Sequence, residues 1–127
     1  RKLNKDETSA LVTFYPDNYG VYRATHINHP CTIWARSSLE NYAYMFCYWQ
    51  QLGEEYTRRY WKNHKSLDMP GLLKEPKHIP SGGLTPFAQA MPDEYKSDDA
   101  VEAYRNYYKG EKSHLFAWKT RKKPSWV

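Results

Sequence analysis

The residues best able to do chemistry stand together in Thr25-His26-Ile27-Asn28-His29-Pro30-Cys31-Thr32-Ile33-Trp34-Ala35-Arg36, where two imidazoles, an amide and a thiol precede a helix-forming stretch. Imidazole and thiolate are good zinc donors, but no second close pair completes a four-ligand set, and His64, His78 and His114 are scattered. No metal and no cofactor is therefore expected. A Cys31–His pair could serve as nucleophile and base, yet no orienting acid adjoins it in sequence. The residue types favour capping and loop hydrogen bonding. The functional alternative is a substrate pocket formed by His26, Asn28, His29, Trp34 and Arg36.

A second constellation, Tyr104-Arg105-Asn106-Tyr107-Tyr108-Lys109-Gly110, alternates ring and cation in the way that suits phosphate contacts and base stacking. Tyr104 and Tyr108 fall on an apolar stripe and read as core, which leaves Arg105, Tyr107 and Lys109 as contact residues. Charge is segregated along the chain. Residues 104–127 carry seven basic side chains against Glu111, residues 56–65 hold Arg58, Arg59, Lys62 and Lys65 with no acid, and residues 91–102 hold five acids with Lys96. The C-terminal block alone outweighs the formal net charge of +5. Cationic segments interleaved with Tyr and Trp point to a nucleic-acid partner, with Arg58, Arg59, Lys62, Arg105, Tyr107, Lys109, Lys122 and Lys123 as the DNA-binding candidates. The plainer reading of either block is a solvated helix face. Asp93 and Glu94 sit at a break between helices and read as first-turn acids rather than catalysts. No Gly-rich phosphate loop or nucleophile elbow occurs.

These groups need elements to hold them. His29-Pro30 fits a cap followed by proline at the first helical position, where a missing N–H costs nothing. Ser37-Ser38-Leu39-Glu40 matches a capping box, so the helix either restarts at Ser37 or runs through. Tyr42, Met45, Phe46, Trp49, Leu52, Gly53, Tyr56 and Tyr60 recur at three-and-four spacing and predict a long central helix over about residues 38–64 with this stripe as core. Gly53 weakens that helix by roughly 1 kcal/mol relative to Ala, which implies a close neighbour or a bend. Residues 66–85, broken by three prolines and three glycines, read as a long ordered loop with a turn around Leu72-Leu73. Thr85-Pro86 predicts another cap-and-proline start, for a short helix through Phe87-Ala88-Gln89-Ala90. Asp98-Asp99 opens a helix closed by Gly110, and Leu115 and Trp118 belong to a final short helix. Residues 1–24 read as loop with a short strand at Ala10-Leu11-Val12-Thr13-Phe14-Tyr15 and a turn at 16–20.

The expected architecture is mainly α, a compact single-domain helical protein spanning residues 1–127, with a long central aromatic helix and long ordered loops. The length of 127 residues and the 40% hydrophobic content suit one core. Twelve of the rings are Tyr, which suits half-buried surfaces, and the mean hydropathy of −0.94 agrees. Cys31 and Cys47 do not form a spaced disulfide framework, so a reducing cytoplasm is the expected compartment. No apolar run approaches the roughly 20 residues of a membrane span, and no signal pattern opens the chain, so a soluble protein without a membrane partner is expected.

The motifs Thr25-His-x-Asn-His-Pro-Cys-x-x-Trp-Ala-Arg36, Glu54-Glu55-Tyr56-Thr57-x-Arg59-Tyr60, Thr85-Pro86-Phe-Ala-Gln-Ala-Met-Pro-Asp-Glu-Tyr95 and Tyr104-Arg-Asn-Tyr-Tyr-x-Gly-Glu-Lys112 resemble a group of small bacteriophage proteins. The likeness runs from Tyr22 through Pro124-x-Trp126. More distantly, the His-Pro-x-x-x-Trp helix entrance and the Tyr/Lys/Gly tract are similar to the phage pyrimidine-dimer DNA glycosylase (endonuclease V) superfamily. That resemblance implies a helical protein that binds damaged or modified duplex DNA, flips a base and cleaves the glycosidic bond through an N-terminal amine assisted by a helix carboxylate. It places Tyr104, Arg105, Tyr107, Tyr108 and Lys109 on the DNA. The catalytic pair does not carry over, because the chain opens Arg1-Lys2 and no early helix bearing a glutamate is expected. Either a catalytic portion precedes Arg1 in a precursor, or only the binding scaffold is present. The expected function is DNA binding with base excision or recognition of damaged DNA in the host-cell cytoplasm. The competing expectation is a non-enzymatic interaction protein, sequestering a host factor or nucleotide or forming part of a virion, through a Tyr-rich surface.

Overall fold

Helix α3, Leu39–Tyr60, organises everything else, and both of its ends follow from local chemistry. Ser38 is extended at φ −152° and its hydroxyl accepts from the Asn41 N–H. At the other end Trp61 turns left-handed at φ 58°, its N–H returning to the Thr57 carbonyl, while Arg58 and Arg59 meet the negative end of the helix dipole. The computed structural model describes residues 1–14, 22, 24–69 and 71–127. Among these the architecture is mainly α, with no strand.

Helix α2, Pro30–Ala35, starts as expected: the His29 ring Nδ1 accepts from the Cys31 N–H at 3.1 Å, and Pro30 follows at the first helical position. It ends before α3 begins, so the helix restarts. The restart cap is Ser38 rather than Ser37, whose hydroxyl turns back to the Ile33 carbonyl. Glu40 does not close a capping box either. Its carboxylate crosses to the Ser81 hydroxyl at 2.5 Å and the N–H groups of Gly82 and Gly83, which tie the long loop to α3.

Helix α4, Ala100–Glu111, opens on Asp99, whose carboxylate accepts from the N–H groups of Val101 and Glu102. Gly110 lies inside this helix instead of closing it. A Cβ there would sit 2.5 Å from the Tyr95 hydroxyl, so the glycine is a docking notch for that ring, and Lys112 is the cap. Gly53 has the same use in α3: a Cβ would meet the Leu67 side chain at 2.5 Å, the close neighbour its position implied. Leu67 belongs to a 3-10 segment, Lys65–Asp68, followed by a second at Gly71–Lys74 around the expected turn.

Three expectations fail for physical reasons. The N-terminal segment is a helix, α1, Lys5–Phe14, not loop and strand. Asn4 and Glu7 form a reciprocal capping box, with Glu7 N–H to Asn4 Oδ1 at 2.9 Å and Asn4 N–H to Glu7 Oε2 at 2.8 Å, and helix started there overrides the β-branched run. Glu7 is therefore a glutamate on an early helix. Tyr15 and the turn at 16–20 lie outside the described residues. Second, residues 85–90 are not helical. The Asn41 amide takes Thr85 N–H and Thr85 Oγ1, and the Trp34 indole takes the Pro86 carbonyl, which holds the segment extended. Third, the α3 stripe is no sealed core. Tyr42, Met45, Phe46, Trp49 and Tyr56 are half-buried and Leu52 and Tyr60 exposed, whereas the fully buried positions include Trp34, Asn41, Gly53 and Ala103. After α4 the chain makes only a 3-10 turn, Ser113–Leu115, and then crosses the molecule as a strap. No described helix is long and apolar enough to cross a membrane.

Candidate functional site

The histidine turn is built from its own side chains. His26 adopts φ 51°, its carbonyl accepts from the His29 N–H, and its ring lies 3.1 Å from the Thr25 hydroxyl. Asn28 pairs with Leu3 in both directions, accepting its N–H and donating to its carbonyl at 2.7 Å each, much as a strand partner would. The Arg36 guanidinium donates to the carbonyls of Ile27 and Arg1. Trp34 is 8% exposed, its indole N–H donating to Pro86 at 2.7 Å. Thus Asn28, His29, Trp34 and Arg36 each satisfy backbone groups that would otherwise lack partners. Among the described residues no three His, Cys, Asp or Glu side chains gather as a metal site, and neither cysteine is in a disulfide.

An aromatic cleft lies between α3 and α4, and of the histidine-turn motif Cys31 and Trp34 reach its lining. The backbones of these helices do not pack against each other. Two bridges hold them apart. At one end the extended segment fills the gap: the Tyr104 hydroxyl donates to the Ala88 carbonyl at 2.6 Å and accepts from the Ala90 N–H, while Phe87 packs against Trp34 and Tyr44 with ring centres 5.3 and 4.9 Å apart. At the other end the C-terminal strap ties back to α3. Glu55 receives Arg59 at 2.9 Å and Arg121 at 3.1 Å, Arg59 also donates to the Ala117 carbonyl, and the Lys119 ammonium lies over the Tyr60 ring. What remains is an open cleft of about 490 Å³ walled by Tyr44 and Tyr48 of α3, Tyr104 and Tyr108 of α4, Phe87 and Trp126. Cys31 Sγ reaches its wall, 3.9 Å from the Tyr104 hydroxyl. Among the described residues Arg105 is the one charged residue lining it, its guanidinium 5.6 Å over Trp126.

Two of the phenols here, Tyr48 and Tyr104, are held neutral well above physiological pH. Burial, followed by the neighbouring Tyr108 and Tyr44, pushes Tyr48 up, and burial chiefly raises Tyr104. Tyr104 is used up by backbone partners, as a core reading of it implies. Tyr108, read as core on the same stripe, is instead 45% exposed and faces the cleft. Tyr107 is turned away, half-buried against Tyr95 and under Lys112. Of the other cationic candidates, Arg58, Lys62, Lys109, Lys122 and Lys123 are exposed, with Lys123 over Trp118, whereas Arg59 is held by Glu55.

The two basic blocks do converge, through the Arg59–Glu55–Arg121 cluster, although they are far apart in sequence. They meet at the C-terminal end of α3. At 1.5 Å per residue this is about 25 Å along the axis from Asn41, where α2 and the histidine turn dock. The cations therefore gather about 10 Å along α3 beyond the Tyr48 end of the aromatic cleft, beside His64 and not beside His26 and His29. Sequence reasoning missed Tyr44, Tyr48, Phe87 and Trp126 as site residues. The available signal was Tyr44-x-x-x-Tyr48 and Tyr104-x-x-x-Tyr108: rings with polar tips, one turn apart on two helices, suit a wall that stays wet on one side.

Compared with protein-family models, curated proteins and solved structures, the chain matches none.

Proposed function

We propose that the protein binds DNA, with its phosphates lying along the basic end of α3 and the C-terminal strap. The observation that carries this reading is the meeting of two cationic segments, residues 56–65 and 117–123, beside a cleft of aromatic side chains. Exposed Arg58, Lys62, Lys122 and Lys123 supply counterion-releasing contacts, and the strap that carries the lysines ends at Trp126 in the cleft wall. Duplex DNA of deformed or damaged structure is the partner that the phage-glycosylase resemblance implies, because rings at a rim stabilise unstacked bases. Glu7, the early-helix carboxylate, is held down to about 2, by Arg1 first and then by the Asn4 N–H, so it is ionised at neutral pH and has no proton to donate there. The reading is therefore binding first, with base excision as the activity to test.

Affinity for a duplex containing an abasic or dimer lesion, measured across a salt series, decides it. Four phosphate contacts give a slope of log affinity against log salt of about −4, and Lys122→Gln/Lys123→Gln shallows it by about 2. A salt-insensitive affinity for a protein partner, with no DNA binding, would replace this reading with the interaction-protein alternative. Borohydride trapping of a covalent protein–DNA adduct tests excision separately.

A further inference from the structure

We infer that the α3–α4 cleft is a site for one unstacked nucleotide, its base between the Tyr48 and Tyr108 walls and its phosphate on Arg105. This deepens the DNA-binding reading and rests on it for the source of the nucleotide, a strand whose base has left the stack.

Shape comes first. Because α3 and α4 are bridged at both ends without backbone packing, the space between them stays open and flat-walled, and about 490 Å³ falls within the roughly 300–1,000 Å³ of small-ligand pockets. Its walls are rings, whose faces attract other π-systems in offset or edge-on arrangements.

Charge then narrows the occupant. Among the described residues Arg105 is the sole charged one lining the cleft and no acid lines it, so a cation is repelled and an anion has one fixed partner. The guanidinium fork matches phosphate oxygens two at a time, and the Arg105 guanidinium over Trp126 is engaged in no hydrogen bond to a described residue.

Hydrogen-bonding capacity narrows it further. The Tyr104 hydroxyl is saturated by Ala88 and Ala90, but those of Tyr44, Tyr48 and Tyr108 hydrogen-bond to no protein group among the described residues. A hydrocarbon ligand would cover these three phenols and leave them unsatisfied. A planar ring edged with carbonyl and amine groups satisfies them. Ring, polar edge and a single anion together describe a nucleotide unit.

The test uses the full chain and thymidine 5′-monophosphate, followed by the indole N–H resonances of Trp34 and Trp126 in a proton–nitrogen correlation spectrum. Both tryptophans line the cleft, and Trp34 also reports the fold through its Pro86 hydrogen bond. Saturable shifts of both are expected, with thymidine, which lacks the phosphate, binding about tenfold more weakly. Arg105→Gln should abolish that preference, and Tyr48→Ala should weaken both ligands about tenfold. Lys122→Gln/Lys123→Gln should leave the monophosphate affinity unchanged within twofold while weakening DNA. No shift at millimolar monophosphate overturns the inference, as does an Arg105→Gln variant that keeps the preference. A protein that takes the monophosphate in this way but ignores duplex DNA refutes the DNA-binding reading and leaves the nucleotide site standing.

Discussion

At the N-terminal end of α3, Asn41 commits its amide to the Trp34 carbonyl, the Thr85 hydroxyl and the Thr85 N–H, and Glu40, Asn28, His29 and Arg36 are likewise turned onto backbone. At the C-terminal end and along the cleft, Lys122, Lys123, Arg58 and Lys62 face solvent, and among the described residues the hydroxyls of Tyr44, Tyr48 and Tyr108 have no protein partner. Both regions are rich in polar groups, but in the first they substitute for secondary structure. Loops from 1–4, 25–29 and 80–86 have no sheet to pair with, so side chains must supply their hydrogen bonds. The second region has a helical backbone that satisfies itself, and its side chains are released for a ligand. The difference teaches that a dense polar motif marks the place where backbone needs help, whereas half-exposed rings on regular helices mark the place with capacity to bind.

Substitutions should therefore sort by region, stability answering to one and binding to the other. Asn41→Ala should have the largest effect: it removes a fully buried amide, orphans the Thr85 N–H and strips the Thr85 hydroxyl of its donor, at a cost of about 3 kcal/mol by urea denaturation. Gly53→Val should cost about 2 kcal/mol in the same measurement, since the new side chain drives Leu67 out of its seat on α3. Lys122→Gln/Lys123→Gln should reverse the pattern. Stability stays within about 0.5 kcal/mol, as for most surface changes, while DNA affinity at moderate salt falls at least about tenfold. If stability fell instead, the division between the two regions would be wrong.

His29→Ala should cost only about 1 kcal/mol, the worth of a helix cap, and leave ligand shifts in the cleft unchanged. A loss of nucleotide or DNA affinity without a loss of stability would return the histidine turn to the site. The smallest effect is one of pH. The Ser81 hydroxyl first and the Gly82 N–H next hold Glu40 at about 2, below its ordinary value of 4.5. Its contribution is thus fully present above 4.5 and is lost as pH falls toward 2. Glu40→Gln should flatten the fall in unfolding temperature over that window. An unchanged acid limb would mean that the Ser81–Gly83 loop does not depend on this carboxylate.

Much of the fold is legible in the chain itself. Three-and-four spacing places α3, Asp99 opens α4, and His29-Pro30 opens α2, because each of these depends on residues within one or two turns of one another. The α1 capping box at Asn4 and Glu7 was equally local, and was obscured by the β-branched run that follows it. Thr85-Pro86 carries the local signature of a helix start, yet Asn41 and Trp34, more than forty residues earlier, claim its polar groups first. No window of sequence contains that competition.

The cleft was harder to foresee for the same reason. The identities of Tyr44, Tyr48, Tyr104, Tyr108 and Arg105 are plain, and their helical spacing says which of them share a face. Whether that face is sealed or open depends on how far apart two helices come to rest. Here the separation is set by the width of residues 85–90 at one end and by the Glu55–Arg121 tie at the other. Local sequence thus determined α2, α3 and α4 and which of their rings share a face. Only the tertiary structure decided that the rings line an open space, because that outcome is fixed by long-range contacts whose partners stand apart in the chain.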